Sequence, residues 1–223
     1  AVIVPLRYEG YVDMDVGRST HICTQVYKVL GPDYKIYALK RVSADTDEAF
    51  SLYLNEVKIL QELRGTECII HLFEAAADMR ARRIDMVIEY GDTDLNHLLH
   101  KQSAGAAART GGLVVSENAI RFYFEQMLRA VQSIHAHRIV HGDLKPANFV
   151  LAEGVLKLID FGIARAVNED ATSVAHENQL GTLNYMAPEA INGVSDPLSG
   201  DRRTYTSPSS DVWSLGCILY QMV

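Results

Sequence analysis

The run "IVHGDLKPANFVLAEGVLKLIDFGIAR" holds His-x-Asp-Leu-x-x-x-x-Asn and then Asp-Phe-Gly, with Asp160 seventeen residues after Asp143. A carboxylate, an amide and a second carboxylate at this spacing suit phosphoryl transfer from ATP, where catalysis is mostly positioning and charge neutralisation. Asp143 is placed to accept, or at least to orient, the proton of a substrate hydroxyl. Asn148 and Asp160 offer a carbonyl and a carboxylate, the hard oxygen ligands that phosphate-bridging Mg2+ ions require. Lys145, two residues past Asp143, is placed to steady the transferred phosphate. Upstream, Lys40 ends the strand-like "YALK", where it can meet α- and β-phosphates, and Glu56 in the following segment is its natural ion-pair partner.

Taken singly, each of these residues has a plainer explanation. Asp143 would serve as a loop cap, Lys40 as a solvated strand end, and Asp-Phe-Gly as an accidental tripeptide. Those explanations fail together. Downstream stand the Ala-Pro-Glu of "GTLNYMAPEA" and the helix start "SDVWSLG", so the ordered set over residues 38 to 216 resembles the signature of the protein kinases. The resemblance implies an α+β, bilobal fold. Residues 1–91 form the small β-rich lobe with one regulatory helix, and residues 92–223 form a partial helical lobe. His141 and Phe161 are expected to be structural, with Leu60 and Leu72. Asp211 is expected to tie the catalytic loop's backbone to the helix below it. The Arg that normally pairs with Glu189 is not present in this chain.

The elements that must position these residues follow from periodicity. "TQVYKVL" and "KIYALKRV" alternate apolar and polar residues around the turn "GPDY", which predicts a β-hairpin. "DEAFSLYLNEVKILQELRG" has helical spacing and ends on Gly65. "IIHLFEAAADMRARRIDMVIEYG" reads as two more strands around a basic turn. After Gly91, "DLNHLLH" and "ENAIRFYFEQMLRAVQSIHAHR" are helical, separated by the low-complexity "KQSAGAAARTGG". Strands first and helices afterwards suggest two lobes with a boundary near Gly91.

Longer segments narrow the resemblance. "HGDLKPANFVL", "LKLIDFGIAR", "TSVAHENQLGTLNYMAPEAI", "SPSSDVWSLGCILYQM" and "MVIEYGDTDLN" closely resemble the monopolar-spindle (TTK-type) kinases, and "YKIYALKRV" looks like the fungal branch. Two features are selective. Gly142 stands where most kinases carry an Arg before the catalytic Asp, and "NGVSDPLSGDRRTYTSPSS" lengthens the stretch between Glu189 and Asp211. That insert reads as a plain surface loop. The resemblance implies an adenine slot from Val26, Ala38 and Val150, with Ile88 at its back and backbone groups of Glu89, Tyr90 and Gly91 bonding the base. Asp94 either reaches the ribose or caps a helix. It also implies transfer to Ser or Thr, and to Tyr as TTK-type relatives do, on kinetochore scaffold proteins in the spindle assembly checkpoint, hence in the nucleus at kinetochores. Lys145 in "DLKPAN" favours the Ser/Thr class. Thr172 and Ser173 lie where this family autophosphorylates, and Thr182 lies in the substrate-binding stretch. Without the usual Arg, a phosphate on Thr172 needs another cation, with Arg165 the candidate.

One stretch departs from the pattern. Counting back from Val26, a phosphate loop Gly-x-Gly-x-x-Gly-x-Val needs glycines at positions 19, 21 and 24, where the chain has Ser19, His21 and Thr24. Gly17 can serve as the first glycine only with a two-residue insertion. Glycines there let backbone N–H groups approach phosphates without a Cβ in the way. Three readings fit: an active kinase with a poor loop, a pseudokinase that uses the fold for docking, or a local error in the written sequence. Another Ser/Thr kinase with similar loops is the rival within the class.

Bulk properties agree with a globular enzyme. The 223 residues are 48% hydrophobic and 22% charged, enough for real cores. A formal net charge of −7 argues against a nucleic-acid surface, which needs clustered Lys and Arg. Three separated cysteines, Cys23, Cys68 and Cys217, suggest neither a disulfide framework nor a zinc site and fit an intracellular setting. No apolar run has the length of a membrane span. The chain opens without Met and stops in a helical pattern, which predicts a piece of a longer protein.

Overall fold

The computed structural model describes residues 22–100, 116–166, 174–176, 182–192, 194–195 and 202–223. Contacts divide the chain into two units. One runs through Asp92 and takes in Asp160–Gly162; the other consists of Thr93–Ile159 and Ile163–Val223.

In the first unit, strands β1 (Ile22–Leu30), β2 (Ile36–Ala44), β3 (Leu72–Asp78) and β4 (Arg83–Glu89) form an antiparallel sheet in the order β1-β2-β4-β3. The β1–β2 turn passes through Tyr34, whose φ is 63°. Helix α1 (Asp47–Glu62) lies against β2, β3 and β4. Its start is set by Thr46, whose side chain accepts from the Ala49 amide at 3.2 Å, and by Asp47 and Glu48, which complement the positive end of the helix. Just past its end, Gly65 adopts φ +81° in open space, so the backbone conformation and not crowding favours glycine there. Val42, Ile59, Leu60, Leu63, Leu72, Ile84 and Met86 are buried between helix and sheet. Each contributes about 1.5–3 kcal/mol by leaving water.

The second unit is built on α2 (Glu117–Ala136), capped by Ser116 on the Ala119 amide at 3.2 Å. Met127, Ala130, Val131 and Ile134 form its buried stripe at helical spacing. Short strands follow: β5 (Thr93–Asp94), β6 (Ile139–Val140), β7 (Phe149–Ala152), β8 (Val155–Leu158), β9 (Arg165–Ala166) and β10 (Val174–His176). Strand β7 pairs with β5 and β8, and β6 with β9. After the short helix α3 (Pro188–Asn192) come β11 (Val194–Ser195), β12 (Arg202–Thr206) and helix α4 (Pro208–Met222). Helix α4 starts at a capping box formed by Ser207 and Ser210, with Pro208 in the first turn, and packs on α2.

The insert before α4 is not a plain loop throughout. Arg202–Thr206 is the central strand of a three-stranded sheet, paired with β10 on one side and β11 on the other. Backbone pairing of this kind leaves no clear pattern in a stretch rich in Ser, Pro and Gly, which is why the sequence reads as a loop. No described helix is long and apolar enough to cross a membrane.

Candidate active site

Residues directly opposite each other on neighbouring strands share a face of the sheet, as do alternate residues of one strand. In the first unit Val26 pairs with Lys40, and Ala38 with Ile88. Because Ala38 and Lys40 are two apart on β2, all four belong to one face. Glu89 ends β4, and its amide donates to the His71 carbonyl at 2.9 Å. Tyr90 follows, with the Lys28 ammonium 4.3 Å from its ring centroid, and then Gly91.

On the same face, Lys40 Nζ donates to Glu56 Oε1 at 2.7 Å and to Asp160 Oδ1 at 3.4 Å. Lys40 and Glu56 are largely out of water, whereas the Asp160 side chain is 38% exposed. Burial works against the Lys40 charge, but Glu56 and then Asp160 outweigh it and hold the ammonium above the ordinary lysine value. Burial raises the Glu56 carboxyl above its usual value and prevails over the pull of Lys40, and Asp160 pushes the same way. Two carboxylates thus compete for one ammonium. Glu56 Oε2 is buried without a full hydrogen bond, although the Phe161 amide nearby favours its charge. Asp160 has φ 66°, a left-handed conformation costly for a residue with a side chain and characteristic of functional turns. Phe161, Leu60 and Leu72 are buried.

In the second unit a hydrogen-bond network surrounds Asp143. Its Oδ2 receives Lys145 Nζ at 2.6 Å, and its Oδ1 receives both the amide of Thr182 at 2.7 Å and the Thr182 hydroxyl at 2.8 Å. Lys145 Nζ also donates to Thr182 Oγ1 at 3.1 Å. Asn148 is buried; its Nδ2 donates to the Asp143 carbonyl at 2.8 Å, leaving its Oδ1 as the acceptor end. Beneath the loop, Asp211 accepts from the amides of His141 at 3.0 Å and Gly142 at 2.9 Å, and from His135 Nε2 at 2.8 Å. This is the tie expected of Asp211. His141 is fully buried. Its Nδ1 accepts from the Asp143 amide at 3.3 Å, so Nε2 carries the proton that bonds the Ile159 carbonyl at 3.3 Å. Gly142 has φ +78°, and a Cβ there would meet Thr206 and Ile163 at ordinary contact distance. The conformation, not the space, suits glycine.

Other residues settle as follows. Asp94 Oδ1 accepts from the His97 amide at 2.8 Å, the capping use of that carboxylate. Val150 pairs with Asp94 across β5 and β7. Glu189 Oε1 accepts from Ser210 Oγ at 3.0 Å. Gly17, Thr172 and Ser173 lie outside the described residues, as does the side chain of Arg165. Sequence reasoning passed over Tyr53, which faces Lys40, and His135, which bonds Asp211. The available signal for Tyr53 was its place one helical turn before Glu56.

Among the described residues no three His, Cys, Asp or Glu side chains cluster to hold a metal. A metal carried by nucleotide phosphates needs no such cluster. The Asp160 carboxylate and the Asn148 side-chain carbonyl, each within its own unit, are oxygen donors of the kind a hard cation takes.

The protein kinase domain family matches residues 20–223, and the chain belongs to it. Kinase domains of this family use ATP with a divalent metal. Within it, the chain is similar to the serine/threonine-protein kinase mph1 of Schizosaccharomyces pombe, 45% identical over 90% of this chain and 29% of that protein. It is 42% identical to the dual specificity protein kinase TTK of Mus musculus, over 89% of this chain and 22% of that one. With the serine/threonine-protein kinase MPS1 of Saccharomyces cerevisiae it shares 39%, over 90% of this chain and 26% of the other. The chain thus spans about a fifth to three-tenths of the length of these curated relatives.

Proposed function

We propose that the chain is the catalytic domain of a protein kinase that transfers the γ-phosphoryl group of ATP to Ser and Thr, and also to Tyr, of proteins. The observation that carries this reading is the Asp143 network, in which a threonine hydroxyl and a lysine ammonium already occupy the two carboxylate oxygens. A substrate hydroxyl that takes the place of Thr182 on Oδ1 is oriented for attack. Its oxygen forms a bond to the γ-phosphorus, the bond to the bridging β–γ oxygen breaks, the proton passes to Asp143, and ADP leaves. Lys145 steadies the transferred phosphoryl oxygens. Lys40, held charged by Glu56, takes the α- and β-phosphates. Asp160 and Asn148 would hold Mg2+, which would supply neutralisation of the phosphate charge. Val26, Ala38, Ile88 and Val150 take the adenine, with backbone groups of Glu89, Tyr90 and Gly91. Gly17 is the remaining glycine for the phosphates, and Asp94 offers its second oxygen to the ribose. Thr172, Ser173 and Thr182 are the sites of autophosphorylation.

By its resemblance to the monopolar-spindle (TTK-type) kinases, the chain acts in spindle-checkpoint signalling at kinetochores, with kinetochore scaffold proteins as substrates and the nucleus as its place of action. The glycine-poor stretch before Val26 favours a second reading, a docking module without catalysis. One assay separates them: phosphorylation by the full-length protein, wild type against Asp143→Ala, on a kinetochore scaffold peptide and on a generic basic peptide. The kinase reading expects loss of about a thousandfold or more with Asp143→Ala, as for removal of a general base from a catalytic unit, and preference for the scaffold peptide. Equal activity of the two proteins refutes the catalytic assignment.

A further inference from the structure

Lys28 lies on β1 two residues past Val26 and pairs across the sheet with Ala38, which pairs in turn with Ile88. The three side chains therefore share one face, the face assigned to the base. The register of β2 with β4 ends at Tyr37 and Glu89. Tyr90 and Gly91, whose backbone groups are assigned to the base, follow directly after that last pair. The Glu89 amide donates to the His71 carbonyl at 2.9 Å, which anchors this segment from the residue before β3. From β1, the Lys28 ammonium lies 4.3 Å from the centroid of the Tyr90 ring, and both side chains are half-buried. An aromatic face attracts an ammonium through its quadrupole, more strongly where water is partly excluded.

We propose that Lys28 is a positioning residue for the nucleotide base. Its ammonium, seated on the face of Tyr90, pins the segment Glu89–Gly91 to β1 beyond the point where strand pairing holds it. The base then meets backbone groups fixed from two sides, by His71 and by Lys28. The inference rests on the reading of this chain as an ATP-binding kinase.

The test is titration calorimetry of the full-length protein with adenosine and with magnesium and the non-hydrolysable analogue AMP-PNP, alongside a phosphorylation assay. Lys28→Gln removes the charge and keeps most of the stem, and it weakens both ligands about threefold, the size of one half-buried contact of this kind. The loss with adenosine, which has no phosphate, separates this role from attraction of phosphate by a nearby cation. In the phosphorylation assay KM for ATP rises by the same factor while kcat holds. Lys28→Arg binds as the wild type does, because a guanidinium also stacks on an aromatic face. Tyr90→Leu weakens adenosine similarly, and adding Lys28→Gln to it costs nothing further. Lys35→Gln, the same charge change in the exposed β1–β2 turn, leaves adenosine binding unaltered. Wild-type adenosine affinity in Lys28→Gln, an equal loss in Lys28→Arg, or a double variant that loses the product of the two factors overturns the proposal. A wild type that binds both ligands but transfers no phosphate refutes the catalytic reading and leaves this one standing. A wild type that binds neither overturns both.

Discussion

Lys40 shows how much one buried charge asks of its surroundings. Its ammonium is held by Glu56 at 2.7 Å, Asp160 at 3.4 Å and the Tyr53 ring, and its pKa lies above the ordinary value of 10.5. Lys40→Met removes the cation of this triad and leaves the buried Glu56 carboxylate without it, which costs about 3 kcal/mol in urea unfolding. The sign of the pH dependence follows from the direction of the shift. A group whose folded pKa is raised contributes stability that is complete below its unfolded value and is lost as pH rises through the folded one. The gap between wild type and Lys40→Met therefore stays constant from pH 7 to about 9.5 and narrows above about 10.5. A gap that closes near neutral pH contradicts the assignment. The pair itself was legible in the sequence, since "YALK" and a glutamate on the next helix announce it. The left-handed φ of Asp160 was not, because no residue type encodes it.

At the scale of elements, helices α1, α2 and α4 and the strands β1 to β4 were legible, because each buries one face and so repeats with its own period, although the order of the strands in the sheet and the short helix α3 were not. The Asp211 tie was legible too, because the motif at the start of α4 announces it. The partners of β12 were not: strand pairing between distant segments depends on backbone geometry that local composition does not carry. Two predictions belong here. Asp211→Ala strips three donors of their common acceptor, the amides of His141 and Gly142 and the ring of His135, and two of these sit in the catalytic loop. With Asp211 fully buried, the cost is about 3 kcal/mol or more in denaturant unfolding, with loss of phosphorylation. Strand β12 also ends at Thr206, beside Gly142, and its register sets Val174 against Thr206 and Ala175 against Tyr205. Where most kinases use an Arg, main-chain pairing is available to order the activation segment. Ala175→Pro removes a donor and fits a strand interior poorly. Amides of residues 202–206 then exchange faster in deuterium-exchange measurements, while those of α2 keep their protection. Unchanged exchange over 202–206 shows that the pairing does not order the segment.

For the whole molecule, the proposed function assigns nucleotide and metal to Lys40, Ala38, Asp160, Asn148 and Val150. A ligand that binds the native chain and not the unfolded one raises stability by mass action, about 2.7 kcal/mol at a hundredfold excess over its Kd. Millimolar ATP with magnesium should therefore raise the unfolding temperature of the full-length protein, and chelation of the metal by EDTA should remove most of that rise. The contribution of the metal ligands separates from that of the base-binding residues. Asp160→Asn and Asn148→Ala weaken the magnesium-dependent part, because each removes an oxygen suited to a hard cation. A bulky residue at Ala38, which is buried on the same face as Val26 and Ile88, weakens the rise with and without metal alike. If all three variants respond to ATP and magnesium as the wild type does, nucleotide binds elsewhere, and neither the glycine-poor loop nor the Lys40 triad is concerned with phosphate.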